Sequence, residues 1–117
     1  MQIKSVDTLL NNILTLHCPT VARLYTNKKP TTYIIYYFND VSEKNYADDD
    51  AQGTSFYYHI DIYSKKDYLS LVEDIIKDLK KNGFEGIKIT GESYESETGY
   101  YHISLEINYF NYESEEE

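Results

Sequence analysis

Residues Thr54–Gly83 read TSFYYHIDIYSKKDYLSLVEDIIKDLKKNG, and the period of the apolar positions changes partway through. From Thr54 to Tyr63 large apolar groups take every second place: Phe56, Tyr58, Ile60 and Ile62. Ser55, Tyr57, His59, Asp61 and Tyr63 alternate with them, which predicts a half-buried strand. Beyond it Tyr68, Leu69, Leu71, Val72, Ile75, Ile76 and Leu79 recur at spacings of three and four, the signature of one helical face. Ser64-Lys65-Lys66-Asp67 at the junction has capping-box spacing. Lys80 and Lys81 suit the negative end of the helix dipole, and Gly83 offers a left-handed stop.

Outward from this unit the chain reads as two helices and several strands. Val6, Leu9, Leu10, Ile13 and Leu14 predict a first amphipathic helix, started near Ser5 or Asp7 and ended by Pro19. VARLY (21–25) reads as a short strand and Asn27-Lys28-Lys29-Pro30 as a turn. TYIIYYF (32–38) is rich in aromatic and β-branched residues and predicts a central strand covered on both faces. NDVSEKNYADDDAQG (39–53) reads as one long acidic loop. A strand is expected around Ile87-Lys88-Ile89, a turn at Glu95–Gly99, and a last alternating strand. On that strand Tyr101, Ile103, Leu105, Ile107 and Tyr109 face one way and His102, Ser104, Glu106 and Asn108 the other.

These elements predict an α+β fold, a mainly antiparallel sheet of about four to five strands with two helices packed on one face. Residues 1–112 form a single expected domain and 113–117 an acidic frayed tail. The long final strand is expected at a sheet edge, where another chain could pair with it.

The totals narrow the function classes. A net charge of −9 repels phosphate, so specific nucleic-acid binding is disfavoured. The same charge permits mimicry of DNA, or the lining of a passage to which DNA must not adhere. The single cysteine, Cys18, excludes an internal disulfide, and its place beside an apolar helix end reads as packing. The opening MQIKSVDTLLNNILTLH lacks the basic region and long apolar core of a signal peptide, and a reducing cytosol is expected.

Three constellations could carry chemistry. Asp48, Asp50 and Gly53 match the first, third and sixth positions of a calcium loop, but the closing Glu position holds His59. A solvated acidic loop is the better reading. His59 and Asp61 share a strand face and His102 lies on the polar face of another strand, so the three could hold a metal or a general acid and base. With no glycine-rich loop or nucleophile motif beside them, a polar outer sheet face outweighs that chemistry, and neither catalytic residues nor a metal or cofactor is expected. The fourteen tyrosines divide between core packing and an interface, with Tyr57, Tyr63 and Tyr101 as the interface candidates.

Tyr33-Ile34-Ile35-Tyr36-Tyr37, the acidic segment with Tyr46-Ala47-Asp48-Asp49, and Tyr57–Tyr68 (YYHIDIYSKKDY) together carry a resemblance. With Gly83-Phe84, Tyr94-Glu95 and Tyr100-Tyr101-His102 they resemble the tail terminator or tail-completion proteins of long-tailed bacteriophages and prophages, from about Val6 to Phe110. The resemblance implies a small α+β subunit that closes into a ring, typically a hexamer, at the head-proximal end of the tail tube. It would end tube polymerisation and dock on the head connector. The implied partners are further copies of itself, the major tail tube protein and the head-tail connector protein. The implied location is the host cytoplasm during assembly and then the virion, with no membrane. In such a ring Asp48, Asp49 and Asp50 would line the lumen and let DNA slip by through like-charge repulsion. Two alternatives remain: another neck component, such as a head-completion or minor capsid protein, and an acidic DNA mimic that inhibits a host protein.

Overall fold

In the computed structural model, which describes residues 2–46 and 51–112, the chain is α+β. The elements are α1 (Ile3–His17), β1 (Val21–Arg23), β2 (Thr32–Tyr46), β3 (Ala51–Ser64), α2 (Leu69–Lys81), β4 (Glu85–Glu95) and β5 (Tyr100–Tyr112). The sheet order is β1-β2-β3-β5-β4, with β1 parallel to β2 and every other pair antiparallel.

Strand alternation sorts the sheet into two faces. Ile34, Tyr36, Phe56, Tyr58, Ile60, Ile62, Ile103, Leu105 and Ile107 point to the helices and are buried there. Val6, Leu10, Ile13 and Leu14 of α1 and Val72, Ile75 and Leu79 of α2 close the core from the other side. Each such side chain contributes about 1.5–3 kcal/mol by leaving water, so both helices are anchored by this stripe. Leu69 falls off the stripe and stands exposed, because it is the first residue of its helix. A smaller cluster lies on the opposite face, where Tyr33, Ile35 and Tyr100 are buried with Ala22, Tyr37 and Tyr63 against them. Residues 32–38 are therefore covered on both faces, as their composition implies.

Four expectations change. The segment 39–53 is largely strand: past a bulge at Asn39 the ladder resumes with Asp40 opposite Tyr57, Val41 opposite Phe56, and onward to Tyr46 opposite Ala51. The bulge keeps Val41 in line with Phe56 on the core side despite the acidic neighbours. Asp40 to Tyr46 reaches about 20 Å at strand rise, and the molecule measures 51 × 22 × 22 Å. Second, β5 is an interior strand, paired by β3 and β4, and the edges are β1 and β4.

Third, no capping box forms. Ser64 ends β3 and is buried, its Oγ accepting from the Lys66 amide at 3.2 Å, while Asp67 Oδ1 accepts from the Leu69 amide at 3.1 Å. The helix begins at Leu69, too far along for Ser64 to serve its first turn. Fourth, Asp7 is no helix start. It lies one turn inside α1 and faces the sheet, accepting from the hydroxyls of Tyr58 (3.0 Å) and Tyr36 (3.4 Å) and pairing with Arg23 (3.1 Å).

The end of α2 follows the sequence closely. Gly83 has φ +93°, Phe84 N–H donates to Leu79 O at 3.0 Å, and Gly83 N–H donates to Lys80 O at 3.2 Å. Those two bonds define a Schellman stop, and the buried Leu79 and Phe84 supply its apolar contact. The turn at Glu95–Gly99 also forms, with Gly99 at φ +81° and its amide bonded to Glu95 O at 2.8 Å.

Candidate functional site

The face away from the helices carries the polar set of β3 and β5, and the register arranges it in rows across the strands. Tyr33, Tyr63 and His102 are aligned in one row. Ile35, Asp61 and Ser104 form the next, and Tyr37 and His59 the one after. The outer rows are aromatic and stacked. Tyr33 lies on Tyr63 (4.7 Å, 9°), Tyr63 on His102 (4.3 Å, 8°), and Tyr37 on His59 (5.1 Å, 19°). The middle row is shorter, so Asp61 sits on the floor of a trough between two ring walls.

Asp61 is buried, and one of its oxygens collects the polar contacts of the trough. Its Oδ1 accepts from His59 Nε2 at 2.9 Å, from His102 Nε2 at 2.7 Å and from Ser104 Oγ at 2.8 Å. Burial alone would raise this carboxyl, but the hydrogen bonds from His102, Ser104 and His59 outweigh it and hold the group below the usual carboxylate range. An ionised carboxylate only accepts, so each imidazole donates to it through Nε2–H. Burial pushes the Tyr33 hydroxyl up to about 12, with Tyr63, Tyr100 and Glu95 adding to it.

The loop after β1 closes one end of the trough. Leu24 takes φ +63°, and its amide bonds to Tyr36 O at 3.1 Å before the chain turns over the sheet. The Tyr100 hydroxyl ties that loop down, shared between Lys29 O (2.7 Å) and Pro30 O (2.6 Å). A depression of about 200 Å³ results, lined by Leu24, Tyr25, Thr26, Lys29, Tyr33, Ile35, Tyr37, Asp61 and Tyr63.

Ser104, His102 and Asp61 invite comparison with a hydrolytic triad, and the geometry differs from one. In a triad the imidazole bridges, one nitrogen toward the acid and the other toward the serine. Here His102 turns the same Nε2 to Asp61 and, at 3.3 Å, to Ser104. No proton can be relayed through the ring in that pose. Among the described residues no group of three or more His, Cys, Asp or Glu is arranged to hold a metal ion. The two imidazoles instead converge on the one carboxylate, at Asp61 Oδ1.

Sequence reasoning placed His59, Asp61 and His102 on the outer face, and the structure brings them together. Ser104 was visible on the same polar face, but its convergence on Asp61 depends on the β3–β5 register. Tyr57 stands on the trough face, opposite Asp40 and Asn108, at the base of the arm that residues 40–46 and 51–57 form. Tyr63 is inside the aromatic wall. Tyr101 lies on the opposite, helix-bearing face, between Tyr94 (4.7 Å) and Tyr68 (5.7 Å). Tyr68 donates its hydroxyl to Glu92, and Tyr94 and Tyr101 are exposed. The structure thus separates the three interface candidates over two faces. Asp48, Asp49 and Asp50 lie outside the described residues. Cys18 is buried with Sγ near Thr20 O and Thr32 O, and burial pushes its thiol up.

No protein-family description and no curated protein matches this sequence. Among solved structures the chain is similar to a chain of the "Virion of native gene transfer agent (GTA) particle", at TM-score 0.48 and 10% identity over 89% of this chain and 92% of that one. At that score and identity the match assigns neither family nor role. Among the described residues no helix is long and apolar enough to cross a membrane.

Proposed function

We propose that this chain is a structural, non-enzymatic subunit of a phage-like virion, acting at the neck as a tail terminator. The observation that carries the reading is a sheet with two unlike free edges. At one side β4 is an outer strand whose residues are exposed almost throughout. At the other, β1 covers only Ile34–Tyr36 of β2, so the outer side of β2 is unpaired from Tyr37 toward Tyr46 among the described residues. Unlike edges suit a heterologous contact, the kind that closes into a ring when the rotation between copies allows. The exposed tyrosines Tyr94 and Tyr101 beside β4 add area at low entropic cost. The sequence resemblance to tail terminators supplies the specific role: closing as a hexamer on the major tail tube protein and meeting the head connector. Asp48, Asp49 and Asp50 face the lumen in this reading.

Cysteine cross-linking tests the edge contact, and the one native thiol is buried, which keeps the background low. Thr90→Cys on β4 and Lys44→Cys on the β2 arm, in one chain with a short bis-maleimide, yield a ladder of covalent oligomers on tail tubes. A ladder that stops at the dimer, or none on tubes, overturns the ring.

A further inference from the structure

We propose that the trough over Asp61 is a binding site for an organic cation, a guanidinium or ammonium head group inserted between the tyrosine walls. Three features favour a cation over other ligands. The first is the floor: the described hydrogen bonds onto Asp61 all end on Oδ1, and among the described residues no donor is bonded to Oδ2. Asp61 lines the depression, and its second oxygen keeps accepting capacity that these bonds do not use. The second is the wall chemistry. Tyr33 and Tyr37 line the same space, each with one ring face not used in its stack on Tyr63 or His59, and the negative face of an aromatic ring attracts a cation. The fold already uses this attraction nearby, with Lys65 Nζ 4.8 Å from the Tyr100 ring centroid.

The third is size. Tyr33 and Tyr37 are four residues apart on one strand, about 13 Å at strand rise, which leaves room for a small head group once ring width is subtracted. Pockets that enclose a drug-sized molecule span about 300–1,000 Å³. At about 200 Å³ this one suits a single side-chain head group or a small free cation. Lys29 at the rim works against a cation, and its ammonium sets the affinity by like-charge repulsion. The site requires no assembly, so it stands or falls apart from the virion reading.

Titration of the full chain followed by NMR tests the site, with ethylguanidinium, ethylammonium and the uncharged ethylurea as probes. Both cations shift the Asp61, Tyr33, Tyr37 and Tyr63 resonances saturably, and ethylurea leaves them in place. Lys29→Ala tightens cation binding severalfold, and Tyr25→Ala, an exposed rim change that leaves the core intact, weakens it. A capped Gly-Arg-Gly peptide that binds more tightly than ethylguanidinium identifies a partner's arginine as the occupant. Equal affinity identifies a small free cation. Equal shifts by ethylurea, or no localised shift from either cation, overturn the proposal. Asp61→Asn abolishes cation binding. Should that variant unfold, the Lys29→Ala and Tyr25→Ala pair still decides the matter.

Discussion

The Tyr58 hydroxyl donates to Asp7 Oδ1 at 3.0 Å, joining the first helix to the middle of the sheet. Tyr58 is fully buried, and its hydroxyl is pushed up, first by burial and then by the Asp7 charge. Arg23 pairs with the same Asp7 oxygen at 3.1 Å and lies over the rings of Phe38 and Tyr36 at 4.7 and 5.6 Å. Hydrogen bonds to a charged partner contribute about 1.5–3 kcal/mol. Tyr58→Phe therefore lowers unfolding stability by about that amount in urea titration. Asp7→Ala costs at least as much, because it takes the acceptor from two hydroxyls at once. The double variant loses less than the sum, since both changes remove one bond.

Asp61 makes the fold acid-sensitive. Its carboxyl in the folded chain lies below its ordinary value, despite burial, because His102, Ser104 and His59 hydrogen-bond to the ionised form. A depressed folded value means the stabilisation is complete above the unfolded pKa of about 3.9 and fades as pH falls through the folded one. The wild-type chain thus loses stability below about pH 4 more steeply than Asp61→Asn. Urea midpoints taken from pH 6 to pH 3 on both chains measure the difference, and parallel curves would remove Asp61 from the account.

Gly83 holds the Schellman stop at φ +93°, and a Cβ there would lie 3.2 Å from Tyr109 Cε1. A side chain in the left-handed region costs roughly 1–2 kcal/mol. Gly83→Ala lowers the denaturation midpoint by a matching amount at constant m-value, whereas Gly91→Ala, with open space around its Cβ, stays within about 0.5 kcal/mol of wild type.

Gly53 sits where the arm becomes three-stranded, opposite Tyr112 on β5. A Cβ at this position would come within 2.4 Å of the Asn111 carbonyl oxygen and 2.6 Å of Phe110 Cζ. Backbone cannot yield that much without opening the ladder. In Gly53→Ala the amides of Ser42, Glu43 and Thr54 lose hydrogen-exchange protection, while those of Ile60 and Leu105 in the core keep theirs.

The fold was legible where its signals are local. The period-two run at Phe56–Ile62, the period-3.6 run ending at Leu79, and Gly83 each act through neighbours in sequence. Residues 40–46 were not legible as strand, because Asp40 and Glu43 are poor strand formers and what holds them is pairing with Ser55, Phe56 and Tyr57. The sheet edge was misplaced for a related reason. Chain order does not reveal that β5 inserts between β3 and β4. Of the candidate site, alternation alone placed His59, Asp61 and His102 on one face. The tyrosine walls and the Ser104 bond required the cross-strand register. Asp7 carries a cap-like signal in sequence, and only the packing of α1 on Tyr58 turns it inward.

The proposed role puts the gene in a phage or prophage, and deleting it there and imaging the lysate by electron microscopy tests the neck role most directly. The account predicts overlong tails of variable length beside filled heads without tails. Tails of normal length that fail to join heads would move the protein to the connector side of the neck, and intact infectious particles would contradict the virion role altogether.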